Sequence, residues 1–268
     1  MNKVDIERSI IKTYRKEIKS RFIKAIKEYQ LIEDGDKIAI AISGGKDSIL
    51  MAKLFQLLSR HGIKNFEVRY ISMDPGFSKD TRRKIEDLYS FLDIPVEIFE
   101  TDVFKVAKFM TGGENPCYLC ARMRRGALYQ KASDLGCNKL ALGHHFDDVI
   151  ETVMLNLLMA GSFKTMMPKL RADNFENMEL IRPLYLIREK DIIRFVNFTG
   201  LKPIDCACEV EAGKIGSKRN DMKELIKDLS GKYANADINI FRATENVSID
   251  MILGYKDKNG KHLFPGGY

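Results

Sequence analysis

The stretch DKIAIAISGGKDSILMAKLFQLLSRHG, residues 36–62, changes character twice along its length. From Ile38 to Ile42 it alternates Ile and Ala without a polar residue, the pattern of a short strand buried on both faces. The run then breaks at Ser43-Gly44-Gly45. Beyond Lys46, Asp47 and Ser48, apolar residues at 49, 50, 51, 54, 55, 57 and 58 recur at helical spacing, and Gly62 is placed to cap the helix. A strand, a glycine turn and a helix start direct backbone amides at an anion, and missing β-carbons let a ligand approach closely. Ser, Gly and Asp would also suit a plain connector, through turn and cap geometry. A connector has no use for the charged pair Lys46-Asp47. Nor is this the common phosphate loop GxxxxGK[ST], because Asp47 stands where Ser or Thr must follow the lysine.

SGGKDS resembles the SGGxDS pyrophosphate loop (PP-loop) of the N-type ATP pyrophosphatases. Those enzymes hold the β- and γ-phosphates of ATP and release them together, leaving AMP on the substrate. Outward from the loop, strands are expected near 66–73, 95–100, 139–144 and 179–184. Helices are expected near 79–92, 103–109, 119–135, 147–160 and 188–199. Strands alternating with helices predict an α/β fold, a doubly wound, mostly parallel sheet, with ligands beyond the carboxyl ends of its strands. Before it, residues 5–29 read as one amphipathic helix carrying Ile6, Ile10, Tyr14, Ile18, Phe22 and Ile26. After residue 200 strand signals are few, and a small helical extension is expected. The division is an N-terminal helix (1–30), a PP-loop domain (31–205) and a C-terminal extension (206–268).

With 268 residues, 45% hydrophobic and 30% charged, the chain is long enough for one large α/β domain with appendages. Its longest apolar segment, VIETVMLNLLMAG, is interrupted by Glu151, Thr152 and Asn156 and is too short to span a bilayer. The first thirty residues have no signal-like apolar core, so no membrane association and a cytoplasmic location are expected. Net charge is +7. Basic residues gather at Lys12, Arg15, Lys16, Lys19, Arg21, Lys24 and Lys27, again at Arg122, Arg124 and Arg125, and at Lys164, Lys169 and Arg171. Such surfaces suit a polyanion, although a solvated helix face has the same composition.

Most of the five cysteines stand in Cys-x-x-Cys or Cys-x-Cys spacing, which in a reducing compartment favours metal or redox chemistry. Cys117 and Cys120 lie where a loop enters a helix, with three arginines following, a setting that lowers thiol pKa. A zinc site needs four ligands, and there is no second Cys-x-x-Cys. The further candidates are Cys206 and Cys208, ninety residues on, which would give a three-thiolate site with one open metal position. Cys137 opens a buried strand and reads as structural. In LGHHFDDVIETVMLNLL, His144 and His145 end a strand while Asp147 and Asp148 open a helix. A carboxylate there would stand near the opening loop, able to bind Mg²⁺ or take a proton.

The order SGGKDS, PCYLCARMRRGALY, LGHHFDD, MPKL and IRPLYLIREKDI resembles the tRNA 2-thiocytidine synthetase (TtcA) family over about residues 20–250. The resemblance implies an ATP-dependent tRNA thiolase with a [4Fe-4S] cluster held by three cysteines, acting on a pyrimidine C2 oxygen, that of cytidine 32. Cys117 and Cys120 would be the first two cluster ligands. The third departs from the family, whose tRNA enzymes have Cys-x-x-Cys where this chain has Cys206-Ala207-Cys208; either thiol reaches, and Cys208 is favoured. ATP would lie on Ser43, Gly44, Gly45, Lys46, Asp47, Ser48 and Gly143. Asp47 and Asp147 would serve Mg²⁺ or substrate positioning, and Arg124 and Arg125 would bind substrate phosphate or sulfide. The expected partners are tRNA, a sulfur donor (a cysteine desulfurase or free sulfide) and a second copy in a homodimer. Two rival readings share these motifs. One is a PP-loop enzyme acting on another tRNA position or a small molecule. The other is a non-catalytic iron–sulfur or zinc protein that binds RNA and senses redox state.

Overall fold

The computed structural model describes residues 1–60, 64–110, 117–204 and 217–264, with the backbone alone at Lys108, Cys117, Tyr118 and Ser217. Its centre is a sheet of β1 (Lys37–Ala41), β2 (Glu67–Asp74), β3 (Val96–Glu100), β4 (Lys139–Ala141), β5 (Lys169–Arg171) and β6 (Glu179–Ile181). The strands run in the order β3-β2-β1-β4-β6-β5. Every pair from β3 to β6 is parallel, and only the edge strand β5 runs antiparallel. The chain moves from β1 outward to β3 and then returns to β4 on the other side of β1. Strand order therefore reverses between β1 and β4, the point at which such sheets open a crevice. This is the expected doubly wound fold.

Helices cover both faces. They are α3 (Lys46–Arg60), α4 (Lys79–Phe91), α5 (Val103–Met110), α6 (Cys117–Asp134), α7 (Phe146–Ala160) and α8 (Glu189–Thr199). Along β1 the side chains divide as a pleated strand requires. Ile38 and Ile40 enter the larger core with Leu50, Phe55 and Phe195, while Ala39 enters the opposite core with Tyr129, Ala132 and Leu140. That explains a strand with no polar residue after Lys37: both of its faces are covered. Full burial of each isoleucine contributes about 2 kcal/mol. The expected cap at Gly62 lies outside the described residues.

At the N-terminus the single expected helix is divided. Helix α1 (Lys3–Ile11) and helix α2 (Ser20–Glu28) are joined through a π-helical turn, Arg15–Lys19. The cause lies in the spacing. Ile6, Ile10, Tyr14, Ile18 and Phe22 repeat every fourth residue, and all are buried. On an ideal 3.6-residue helix that repeat drifts about 160° around the axis, and the wider π turn takes up the drift. Helix α1 is fastened to α3 by the buried Lys53, whose ammonium contacts Glu7 Oε1 at 2.7 Å.

The C-terminal extension is helical only in part. Helices α9 (Ser217–Lys232) and α10 (Ala236–Ala243) pack on α7 through Met222, Ile226 and Phe241. Beyond them β7 (Gly254–Asp257) and β8 (Gly260–Leu263) form an antiparallel hairpin. The signal was present in KDKNGKH. Asp257 accepts the Asn259 amide at 2.8 Å, and Gly260 takes φ +132°, so the turn uses residues suited to it.

Candidate active site

The loop leaving β1 is tied to itself. Ser43 N–H donates to Ser48 Oγ at 3.1 Å, Ser48 Oγ–H donates to the Gly45 carbonyl at 2.9 Å, and Gly45 N–H donates to Ser43 Oγ at 3.3 Å. Gly44 adopts φ +85°, a conformation that a side chain would strain, and its carbonyl accepts the Ile204 amide at 3.0 Å. The loop thus delivers the first amides of α3, which have no intrahelical partner, to the crevice between β1 and β4.

From the other side of the crevice comes the end of β4. Gly143 passes so close that a β-carbon on it would meet the Ser48 amide nitrogen at 3.3 Å. His145 caps α7: the Asp148 amide donates to its Nδ1, and Asp148 Oδ2 accepts the His145 amide at 2.9 Å. The two aspartates then separate in role. Asp148 faces the crevice, whereas Asp147 Oδ2 accepts the Glu189 amide at 2.6 Å and so binds the start of α8 to α7. Glu189 Oε1 in turn meets Lys46 Nζ at 3.2 Å, and Lys46 also pairs with Asp47 at 3.2 Å.

These elements enclose a cavity of about 660 Å³. One wall is polar, made of the loop, Gly143, Asp148 and Arg124 from α6; another is apolar, made of Ile42, Met73, Phe77 and Val196. The structure brings Ser43, Gly45, Lys46, Asp47, Ser48, Gly143 and Arg124 onto this one surface. Gly44, Asp147 and Cys120 are not on it. Sequence reasoning did not assign Met73, Phe77 and Glu189 a role; for Glu189 the motif IREKDI was the available signal.

Burial governs the charges. It raises the carboxyl pKa of Asp47, despite the opposing pull of His145 and Lys46. For Lys46 burial alone would lower the pKa, but Asp47 and Glu189 together raise it, so it is a firm cation. Burial drives His144 down to about 4, leaving a neutral imidazole at physiological pH. Two buried polar atoms here have no hydrogen-bond partner among the described residues: Asp47 Oδ1 and His144 Nδ1. Both residues line the cavity, so a polar ligand bound there can pair with them.

Cys117 and Cys120 open α6 one turn apart, and Cys120 is buried in an apolar cluster with Val103 and Ala107 of α5. Cys206 and Cys208 lie outside the described residues. Cys137 is buried in the core beside Leu140, and burial pushes its thiol pKa up, the condition of an inert structural cysteine.

A parallel sheet with SGGKDS at its switch point and a lysine, serines and helix amides turned into the crevice defines a PP-loop nucleotide-binding domain. The model of the PP-loop domain family matches residues 14–206. The tRNA-cytidine(32) 2-sulfurtransferase of Geotalea daltonii is 40% identical over 245 residues, covering 91% of this chain and 96% of its own. That of Paraburkholderia xenovorans is 34% identical over 246 residues, covering 90% of this chain and 70% of its own. The chain belongs to the tRNA-cytidine(32) 2-sulfurtransferase family of PP-loop proteins. Among solved structures, the U34-tRNA thiolase NcsA of Methanococcus maripaludis, described with its [4Fe-4S] cluster, has the same fold. It matches with a TM-score of 0.66 at 23% identity over 85% of this chain and 78% of that one.

Proposed function

We propose that this protein is an ATP-dependent tRNA sulfurtransferase that replaces the C2 oxygen of cytidine 32 by sulfur. The observation that carries this is the convergence of the pyrophosphate loop, Arg124 and Asp148 on one cavity at the sheet's switch point. An amide-like ring oxygen is a poor leaving group. It attacks the α-phosphorus of ATP, the α–β bridging bond breaks, and pyrophosphate departs. Lys46, the hydroxyls of Ser43 and Ser48 and the amide of Gly45 bind that pyrophosphate and stabilise its charge, while Gly44 shapes the turn that presents them. Lys46 then exchanges its carboxylate partners for phosphate. Sulfide adds to C2 with its own electron pair, and AMP leaves with the original oxygen. The sulfur comes from free sulfide or from a cysteine desulfurase; the latter route needs two electrons from a reductant to reach sulfide.

Magnesium fits Asp47, whose buried Oδ1 accepts no hydrogen bond among the described residues and meets only His145 Nε2, at 3.9 Å; alongside ATP phosphates Mg²⁺ takes only one or two carboxylates. Asp147 acts at one remove, holding Glu189 against Lys46. A [4Fe-4S] cluster fits the soft thiol donors of Cys117 and Cys120, with Cys208 or Cys206 as third ligand, and Cys120 has the apolar shell that excludes water. When bound, the cluster supplies a Lewis-acid position that carries sulfide. Exposed Ile249, Met251 and Leu253 support a homodimer, which sedimentation checks. Among the described residues no helix is long and apolar enough to cross a membrane, and the site of action proposed is the cytoplasm.

Mass spectrometry of tRNA nucleosides from cells with and without the gene tests the reading. Loss of 2-thiocytidine in the deletion is expected, and an unchanged nucleoside profile refutes it. ATP-to-AMP conversion that rises on adding bulk unmodified tRNA separates it from a small-molecule enzyme and from a non-catalytic binder.

A further inference from the structure

Three cations are buried in the described residues: Lys53, Lys139 and Arg182. Two of them are matched by acids. Lys53 meets Glu7 at 2.7 Å, and Lys139 meets Asp36 at 2.8 Å and Glu179 at 3.4 Å. Arg182, only 6% exposed, forms no ion pair among the described residues. Its Nη1 donates to the Met167 carbonyl, while its buried Nε has no hydrogen-bond partner among the described residues. Asp148, the carboxylate whose charge bears on it, is engaged by the His145 amide and by Arg219 at 3.5 Å. A second cation, the exposed Arg125 of α6, acts on Arg182 as well. Burial and then Arg125 lower the guanidinium pKa to about 10. An unmatched buried charge is costly, so a fold that keeps one beside another arginine reserves it for an anion.

Arg182 follows β6 directly and so stands at the same carboxyl edge of the sheet as Ser43 and Gly143. Its charge also acts on His144, which lines the cavity at the end of β4. The pyrophosphate loop follows β1, and Met73 and Phe77 set an apolar wall toward β2, whereas Arg182 is not among the residues that line that cavity. The side of β4 that carries Arg182 is left for the acceptor. We infer that Arg182 and Arg125 form a second oxyanion subsite, across β4 from the pyrophosphate loop, that binds a phosphodiester of the tRNA beside the target nucleotide. A guanidinium with an unpaired Nε–H offers a fork to two phosphate oxygens, and Arg125 is a second, exposed guanidinium whose charge acts on the same site. The inference rests on the tRNA reading above.

The test measures binding of bulk unmodified tRNA to the full-length protein at several salt concentrations, with ATP affinity, iron content and melting temperature in parallel. Arg182→Met is expected to weaken tRNA binding about tenfold and to reduce the slope of log K against log salt by about one. ATP affinity and iron content stay at the wild-type value. The melting temperature of the free protein holds or rises, because an unmatched charge has been removed; a structural arginine would lower it. Arg125→Gln, at an exposed position, is expected to give the same loss of slope with an unaltered fold, and it carries the test should Arg182→Met not fold. Wild-type binding with unchanged affinity and slope in the variants overturns the subsite, and so does loss of ATP affinity or iron in place of tRNA. Absence of tRNA binding by the wild type overturns the tRNA reading itself.

Discussion

Gly143 closes against Ser48: a β-carbon on the glycine would stand 3.3 Å from the serine's amide nitrogen and 3.4 Å from the Asp47 carbonyl carbon. The end of β4 and the start of α3 touch here without side chains between them, which keeps the crevice narrow enough for backbone amides to reach a phosphate. The neighbouring atoms are backbone at a helix start, so they have little room to give.

Gly143→Ala is therefore expected to displace the loop while the sheet persists. AMP formation should fall about tenfold, chiefly through a raised KM for ATP, with about 1 kcal/mol lost from stability. Steady-state kinetics and chemical denaturation check this; wild-type kinetics would show that the contact does not shape the site.

Lys46→Ala and Ser48→Ala should both abolish AMP formation, but they part in stability. Lys46 is a partly exposed cation whose pairs are with Asp47 and Glu189, and its removal should leave the melting temperature nearly unchanged. Ser48 is buried, and its hydroxyl both accepts the Ser43 amide and donates to Gly45, so alanine there costs about 1 kcal/mol. Equal melting temperatures would argue against the loop's internal bonding.

Glu151 provides a pH test. Burial, opposed by Arg219 at 3.2 Å, raises its pKa from 4.5 to about 7. Below pH 4.5 the folded and unfolded states both hold the proton. Between 4.5 and 7 only the folded state does, so this group's stability is lost as pH climbs through that window. Glu151→Gln should flatten that slope and gain about 2 kcal/mol at pH 8. Urea denaturation across pH 4–8 reads the effect, and an unchanged slope would place the proton elsewhere.

The cysteines should divide by role. Cys120→Ala is expected to lose iron from anaerobically prepared protein, whereas Cys137→Ala keeps the iron and costs about 1 kcal/mol as a buried core residue. Of Cys206→Ala and Cys208→Ala, one loses the cluster and thiolation while the other keeps the iron. Full iron and activity in both would refute the three-cysteine site.

The sequence alone carried whatever is local or periodic. Residues 36–60 announced β1, the loop and α3, because strand burial, glycine conformations and helix spacing are properties of neighbours along the chain. The α/β class followed from the alternation of such segments. Two other local signals lie in the sequence: the four-residue repeat behind the π turn, and Asn259-Gly260 behind the C-terminal hairpin. Tertiary structure alone decided which side chains meet. Adjacent aspartates look equivalent in LGHHFDD, yet Asp148 faces the cavity while Asp147 holds Glu189, 42 positions away. Likewise His144 is neutral and Arg182 unmatched only because helices and loops from distant parts of the chain bury them. Desolvation and pairing depend on distances through space, and those are set by crossovers and core packing that no single stretch of residues encodes.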